Sequence, residues 1–258
     1  MSVLIQEQKG STLILTLNRP ESMNALSTEL VKSLIDAVRG SADRADIRSI
    51  VITGAGEKAF CAGTDLKERR ELNPDQKWAQ SRGGWELNQA VYQSPKAVIA
   101  AIGGWCLGGG FELSLFCDTR IATEDAKFGW PEMTLGAYPG SGAALMLPRL
   151  IGAAQAKQLF FTARRIGAAD ALRIGLVEQV VPRTKLLRAA LDFAAEVEKT
   201  SPLGLAAVKR SINEGADLPL PQAAELDQQL RRPLEATRDY EEGICAHFEK
   251  RKPVFIGR

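Results

Sequence analysis

Along "STLILTLN" the residues Leu13, Leu15 and Leu17 alternate with others, the period of a strand with one buried face. With "SVLIQEQ" before it and Lys9-Gly10 between, the first segment is predicted to be a hairpin. The period then changes. Leu30, Val31, Leu34, Ile35 and Val38 share one face of a helix, with Ser27 placed to cap it. "IRSIVITGAG" and "KAVIAAIGG" are short continuous apolar runs ending in glycine, as expected of strands buried on both faces. Between them, a polar stretch from about Lys67 to Arg82 is predicted to be mobile, followed by a helix around Trp85–Tyr92. "GGGFELSLFCD" is predicted as a short helix, "TRIAT" as a strand and "KFGWPEMTLGAYPGSG" as a long loop. This rhythm is that of an α/β domain with βα crossovers.

From about Ala153 the pattern turns helical, through "AAQAKQLFFTARRI", "AADALRIGL" and "LLRAALDFAAEVEK", with the strand "GLVEQVV" among them. Beyond Ser201-Pro202 the chain is predicted to be helical to its end, punctuated by Pro219, Pro221 and Pro233. The division expected is a core over residues 1–195 and a helical region over 196–258. Those last helices carry apolar stripes with no sheet of their own to cover. They must pack on the core or on another copy of the chain.

Composition narrows the chemistry. A net charge of +2 in 258 residues gives no case for nucleic acid or an anionic membrane surface. Apolar runs such as "AVIAAIGGW" are too short to span a bilayer, and the first residues lack the pattern of a secretory signal. The four cysteines show no CxxC pairing, so neither a zinc site nor a disulfide framework is expected, and a reducing cytoplasm is the expected location. His247 is the single histidine and there is no GxSxG elbow, which leaves acid–base work to carboxylates.

Three stretches stand out. In "GGWCLGGGFELSL", three glycines, Gly108, Gly109 and Gly110, open a helix whose apolar run contains Glu112. Bare backbone N–H groups there could receive a negatively charged oxygen; equally, the glycines could make a tight turn, with Glu112 answering the helix dipole. No phosphate loop fits, since GxxxxGK[ST] is absent and the GxGxxG spacing fails. In "FGWPEMTLG", Pro131-Glu132 is a common helix opening, but it supplies a second carboxylate twenty residues after the first. In "AFCAGTDLKE", small residues precede Asp65, which is placed to cap a helix.

Taken together, "LNRPESMNAL", "FCAGTDLKE", "GGGFELSLFCD", "FGWPEMTLGAYPGSG", "LPRLIG" and the terminal "EKRKPVF" resemble, in order and separation, the enoyl-CoA hydratase/isomerase family, or crotonase superfamily. The resemblance covers essentially the whole chain. It implies a spiral of ββα units followed by a helical trimerisation region, hence a homotrimer or homohexamer. It implies an acyl-CoA thioester substrate, with coenzyme A part of the substrate and no separate cofactor or metal. By position, the N–H groups of Thr64 and Gly109 would form an oxyanion hole, worth roughly 3 kcal/mol per donor in other enzymes. Glu112 and Glu132 would hold a water and add it across the α,β double bond. Family isomerases generally keep only the second glutamate, so hydration is the reaction implied; isomerisation, thioester hydrolysis and a non-catalytic CoA- or RNA-binding role are the alternatives. Substrate contacts would fall to Ala25, Ala62, Thr64, Asp65, Leu66, Gly108, Gly109, Trp130 and Pro131, with Lys250 near a CoA phosphate or in a solvated tail. Three departures bear on the acyl pocket: Trp130 and Phe111 replace smaller residues, and "PGSGAALMLPR" replaces the commoner "PGAGGTQRLPR". Trp130 would either reshape that pocket or pack as ordinary core.

Overall fold

A computed structural model describes residues 2–258. The expected hairpin is present as β1 (Leu4–Lys9) and β2 (Thr12–Leu17), antiparallel about a turn in which Gly10 takes a positive φ of 58°. Helix α1 (Thr28–Gly40) follows, with the Ser27 hydroxyl accepting the Leu30 N–H and the predicted apolar face buried. Three successive units then each give one strand to a large sheet and the next to a small one. They are β3 (Ser49–Gly54) with β4 (Ala59–Cys61), β5 (Ala97–Ile102) with β6 (Trp105–Leu107), and β7 (Thr119–Thr123) with β8 (Lys127–Gly129). Between the first two units lie α2 (Leu66–Arg70) and α3 (Pro74–Gln93); α4 (Gly108–Phe116) joins the second to the third. This is the spiral of ββα turns that the resemblance implied.

After the third unit come α5 (Ala143–Ile151), α6 (Ala153–Thr162), β9 (Ile166–Gly167), α7 (Ala168–Arg173), β10 (Gln179–Val181) and α8 (Leu186–Glu198). The large sheet runs β1-β2-β3-β5-β7-β10 and the small one β4-β6-β8-β9. Beyond β1 the large sheet is parallel; its edge strand β10 is partly exposed, whereas its central strands β3, β5 and β7 are buried on both faces. That is why β3 and β5 read as continuous apolar runs. Leu15, Ile50, Ile52, Val98 and Ala100 point into the main core with α1, α3 and α4. Ile14, Val51, Ile99 and Ile121 point the other way, under Leu186, Ala190 and Ala194 of α8.

Helices α9 (Pro202–Gly215), α10 (Leu220–Arg231) and α11 (Arg238–Glu249) complete the chain. They bury little of their apolar surface: Val208, Ile212, Leu220 and Phe248 are all exposed.

Two expectations need correction. The stretch from about Lys67 to Arg82 is helical rather than loop-like, because its polar residues serve as caps. Asp65 accepts the Lys67 and Glu68 N–H groups to start α2. Asn73 and Gln76 form a reciprocal capping box at α3, with Pro74 in the first turn. Helix α3 therefore begins about three turns before Trp85. The long loop after Ala126 also contains regular structure, namely β8 and a 3-10 turn over Pro131–Leu135. Both pieces are too short to leave a periodic signal.

Candidate functional site

The spiral brings the three singled-out stretches to one cleft, lined among others by Thr64, Gly109, Glu112, Glu132 and Ser141. The segment after β4 crosses over the start of α4. Leu26 bridges Thr64 as a short parallel pair, taking up the Gly63 carbonyl and Asp65 N–H, while the Thr64 N–H has no acceptor among the described residues. A methyl group built on Gly109 would lie 3.5 Å from the Thr64 nitrogen, and one built on Gly63 only 3.0 Å from the Gly109 nitrogen. Two backbone N–H donors from different segments are thus neighbours, one of them in the first turn of a helix.

The three glycines have three separate reasons. At Gly108, with φ of 48°, a Cβ would sit 2.0 Å from Glu132 Oε1. At Gly110 it would sit 2.4 Å from Cys61 Cβ, against β4. At Gly109 it would meet only ordinary contacts and would fill space in front of the two donors.

Glu112 lies beyond the first turn of α4, so the helix dipole does not account for it. It is 3% exposed, and its Oε1 accepts the Ser141 N–H at 2.9 Å and the Ala143 N–H at 3.3 Å. Burial pushes its carboxyl up to about 7, against the pull of those two donors and with the help of Glu132's charge. Pro131-Glu132 does open a short 3-10 helix, as the plain reading of that dipeptide held. The Glu132 side chain nevertheless turns inward, to a place where Oε2 is buried with no hydrogen-bond partner among the described residues. Burial raises the Glu132 carboxyl as well; its own backbone and the Gly109 N–H pull it back. Two carboxyls with raised pKa values beside the neighbouring Thr64 and Gly109 N–H donors can hold and move protons next to a developing negative charge.

Of the other residues singled out in the sequence, Leu66 lines the cleft. Ala25 lies outside its wall, its carbonyl accepting Arg19 Nη1, and Ala62 donates to the Met23 carbonyl. Asp65 caps α2 and pairs with Arg19 at 2.7 Å. Burial alone would lift the Asp65 carboxyl, but Arg19 and the helix N–H groups outweigh it and hold the pKa down. Trp130 is packing: 1% exposed, it stacks on Phe111 with centroids 4.2 Å apart and meets Phe160 at 4.5 Å. Phe111 and Trp130 thus pack as a buried pair, bracing the turn that carries Pro131 and Glu132. Lys250 ends α11 at an exposed left-handed position and does not line the cleft.

Sequence reading missed Asn88, Ser141 and Arg69, which share the cleft. The "PGSG" segment was quoted only as a motif; nothing in it announced that its backbone would hold a carboxylate.

A family model described as enoyl-CoA hydratase/isomerase matches residues 7–258. A crotonyl-CoA hydratase of Syntrophomonas wolfei is 37% identical over 255 residues, covering 99% of this chain and 98% of that one. A short-chain-enoyl-CoA hydratase of Clostridium acetobutylicum is 36% identical, covering 96% and 95%. The crystal structure of an enoyl-CoA hydratase from Bacillus anthracis superimposes with a TM-score of 0.97 at 39% identity, covering 99% of this chain and all of that one.

Proposed function

Because the chain belongs to the enoyl-CoA hydratase/isomerase family, we propose that it adds water reversibly across the C2=C3 bond of 2-enoyl-CoA thioesters, giving 3-hydroxyacyl-CoA. The observation that carries this reading is the pairing of Glu112 and Glu132 in one cleft, both with raised pKa values, beside the Thr64 and Gly109 N–H groups. The thioester oxygen would lie against those two donors. The water would sit between the glutamates, one ionised and the other protonated. As the water oxygen bonds to C3, the ionised carboxylate takes its proton. The C2=C3 electrons move into the enolate, whose oxygen charge the two N–H groups stabilise without reorganising. The protonated carboxyl then delivers its proton to C2, and the net addition is H and OH. This scheme needs no cofactor besides the coenzyme A carried by the substrate, and uses no metal.

The presence of both glutamates favours hydration over double-bond isomerisation, which needs a single base to shuttle one proton. A purely CoA- or RNA-binding role would leave two buried carboxyls without a purpose. The test is the loss of crotonyl-CoA enone absorbance with the wild type, Glu112→Gln and Glu132→Gln. Each substitution is expected to lower kcat by on the order of a hundredfold or more. No turnover by the wild type across enoyl-CoA chain lengths would sink the reading, and activity surviving in Glu112→Gln alone would move it to isomerase chemistry.

The exposed apolar faces of α9, α10 and α11 support assembly through the region 196–258, as a homotrimer or homohexamer around cores of residues 1–195. Sedimentation equilibrium at several concentrations would read that mass directly. No helix among the described residues is long and apolar enough to cross a membrane. The expected cytoplasmic location rests on the sequence reading, and fractionation of the source cells would test it.

A further inference from the structure

The cleft that holds the glutamates is also lined by Arg69 of α2 and by Gln80, Ser81 and Asn88 of α3. Arg69 is the one cation among the residues lining this cleft. Its Nη1 is engaged by neutral acceptors only, Gln80 Oε1 at 2.9 Å, the Lys77 carbonyl at 3.2 Å and Ser81 Oγ at 3.5 Å. These three bonds fix the guanidinium between α2 and α3. Its Nη2 and Nε have no hydrogen-bond partner among the described residues. The neighbouring carboxylate, Glu68, is turned toward the start of α1, where Oε2 takes the Thr28 N–H at 2.9 Å, and reaches Gln80 Nε2 at 3.4 Å. The cleft therefore holds an immobilised, half-buried cation, apart from the proposed chemistry and with the open side of its donor fork unused.

Resting on the hydratase reading, we propose that this cleft accepts enoyl-CoA thioesters whose acyl chain ends in a carboxylate, and that Arg69 receives that carboxylate. With C1 at Thr64 and Gly109 and C3 at the glutamates, the rest of the chain would lie against the other residues of the same cleft, among them Leu135, Tyr138 and residues of α3, with Arg69 the cation within it. An arginine held by neutral partners gains most from an anion that can take two parallel N–H bonds. An apolar chain end would instead desolvate the guanidinium with nothing in return.

The test is equilibrium binding of glutaryl-CoA and pentanoyl-CoA, which match in chain length and differ in the terminal carboxylate. Calorimetry would be run on the wild type, Arg69→Met and Arg69→Lys, with hydration of crotonyl-CoA and of a 2-enoyl-CoA ending in a carboxylate assayed alongside. The ratio of the two Kd values is expected to shift by about tenfold or more against glutaryl-CoA in Arg69→Met, with part of the preference kept in Arg69→Lys. A ratio that does not move overturns the proposal. So does an equal loss for both ligands, which would assign Arg69 to the coenzyme A portion. Absence of hydration by the wild type of both crotonyl-CoA and a 2-enoyl-CoA ending in a carboxylate, while the ratio shifts, would instead defeat the hydratase reading and leave the carboxylate site standing.

Discussion

Asn88 Nδ2 donates to the Ser141 carbonyl at 2.7 Å, and the N–H of the same Ser141 donates to Glu112 at 2.9 Å. Asn88 is 2% exposed on α3, so one buried amide holds the carbonyl of the residue whose N–H faces the candidate carboxylate. We predict that Asn88→Leu loosens this hold and weakens the Ser141 bond to Glu112. That bond lowers the Glu112 pKa, so its loss moves the carboxyl further above about 7. The limb of the kcat/KM–pH profile governed by Glu112 is expected to move to higher pH. On the order of a tenfold loss in kcat should accompany it, from misplacement of the carboxylate. A fall in Tm with an unmoved limb would make Asn88 a packing residue only.

Glu112 also carries a stability cost with a definite sign. Its folded pKa of about 7 stands above the ordinary 4.5, so between those values the folded protein binds the proton more strongly than the unfolded chain. Stability from this group is complete below the lower value and is lost as pH rises through the upper one, amounting to about 3 kcal/mol at most. Gln at position 112 removes the titration and keeps an acceptor for Ser141 and Ala143. The Tm of Glu112→Gln relative to the wild type is therefore expected to climb by several degrees between about pH 5 and pH 8. A difference that stays flat across that range would show that the carboxyl does not titrate there.

Gly108 and Gly109 are adjacent but should respond differently to alanine. A methyl at Gly109 meets Leu26 Cδ1 at 3.4 Å and Thr64 atoms at 3.5 Å and beyond, all tolerable contacts. Gly109→Ala should keep its Tm, and it should lose roughly a hundredfold in kcat/KM because the methyl fills the space before the two donors. A methyl at Gly108 collides with Glu132 Oε1 and sits on a backbone of positive φ. Gly108→Ala should lose both activity and Tm. Thermal melts and crotonyl-CoA kinetics on the pair would check this; equal losses of Tm would refute the distinction.

Much of this architecture was legible in the sequence because the buried strands and the first helix carry strong periods. Leu13, Leu15 and Leu17 gave β2, and Leu30 to Val38 gave α1 with its Ser27 cap. The start of α3 was not legible: it is fixed by the Asn73–Gln76 capping box on an exposed, polar first half with no apolar stripe to reveal it. At the site, Glu112 was conspicuous because a carboxylate in an apolar helix is expensive. The roles of Asn88 and Ser141 were invisible for the opposite reason. Asn88 acts on a carbonyl 53 positions away, and Ser141 holds Glu112 through its backbone, which carries no residue signature.

The last helices depend on a buried cation. Lys209 of α9 is 8% exposed, and its ammonium reaches Asp118 Oδ2 at 2.8 Å, the Lys96 carbonyl at 3.0 Å and the Val91 carbonyl at 3.4 Å. The two partners are not equivalent, because the Asp118 side chain keeps 30% exposure while that of Lys209 keeps 8%. Removing the carboxylate strands a buried charge; removing the lysine leaves a carboxylate that water still reaches. Asp118→Asn is therefore predicted to destabilise the fold more than Lys209→Met, by about 2 kcal/mol or more in the first case. The double variant should recover part of the loss, since it removes the stranded ammonium as well. Urea unfolding of the wild type, both single variants and the double variant supplies the full cycle. Equal losses from the two single variants would refute the asymmetry, and a double variant that simply adds them would show that the pair is not coupled and that α9 is held by its apolar contacts instead.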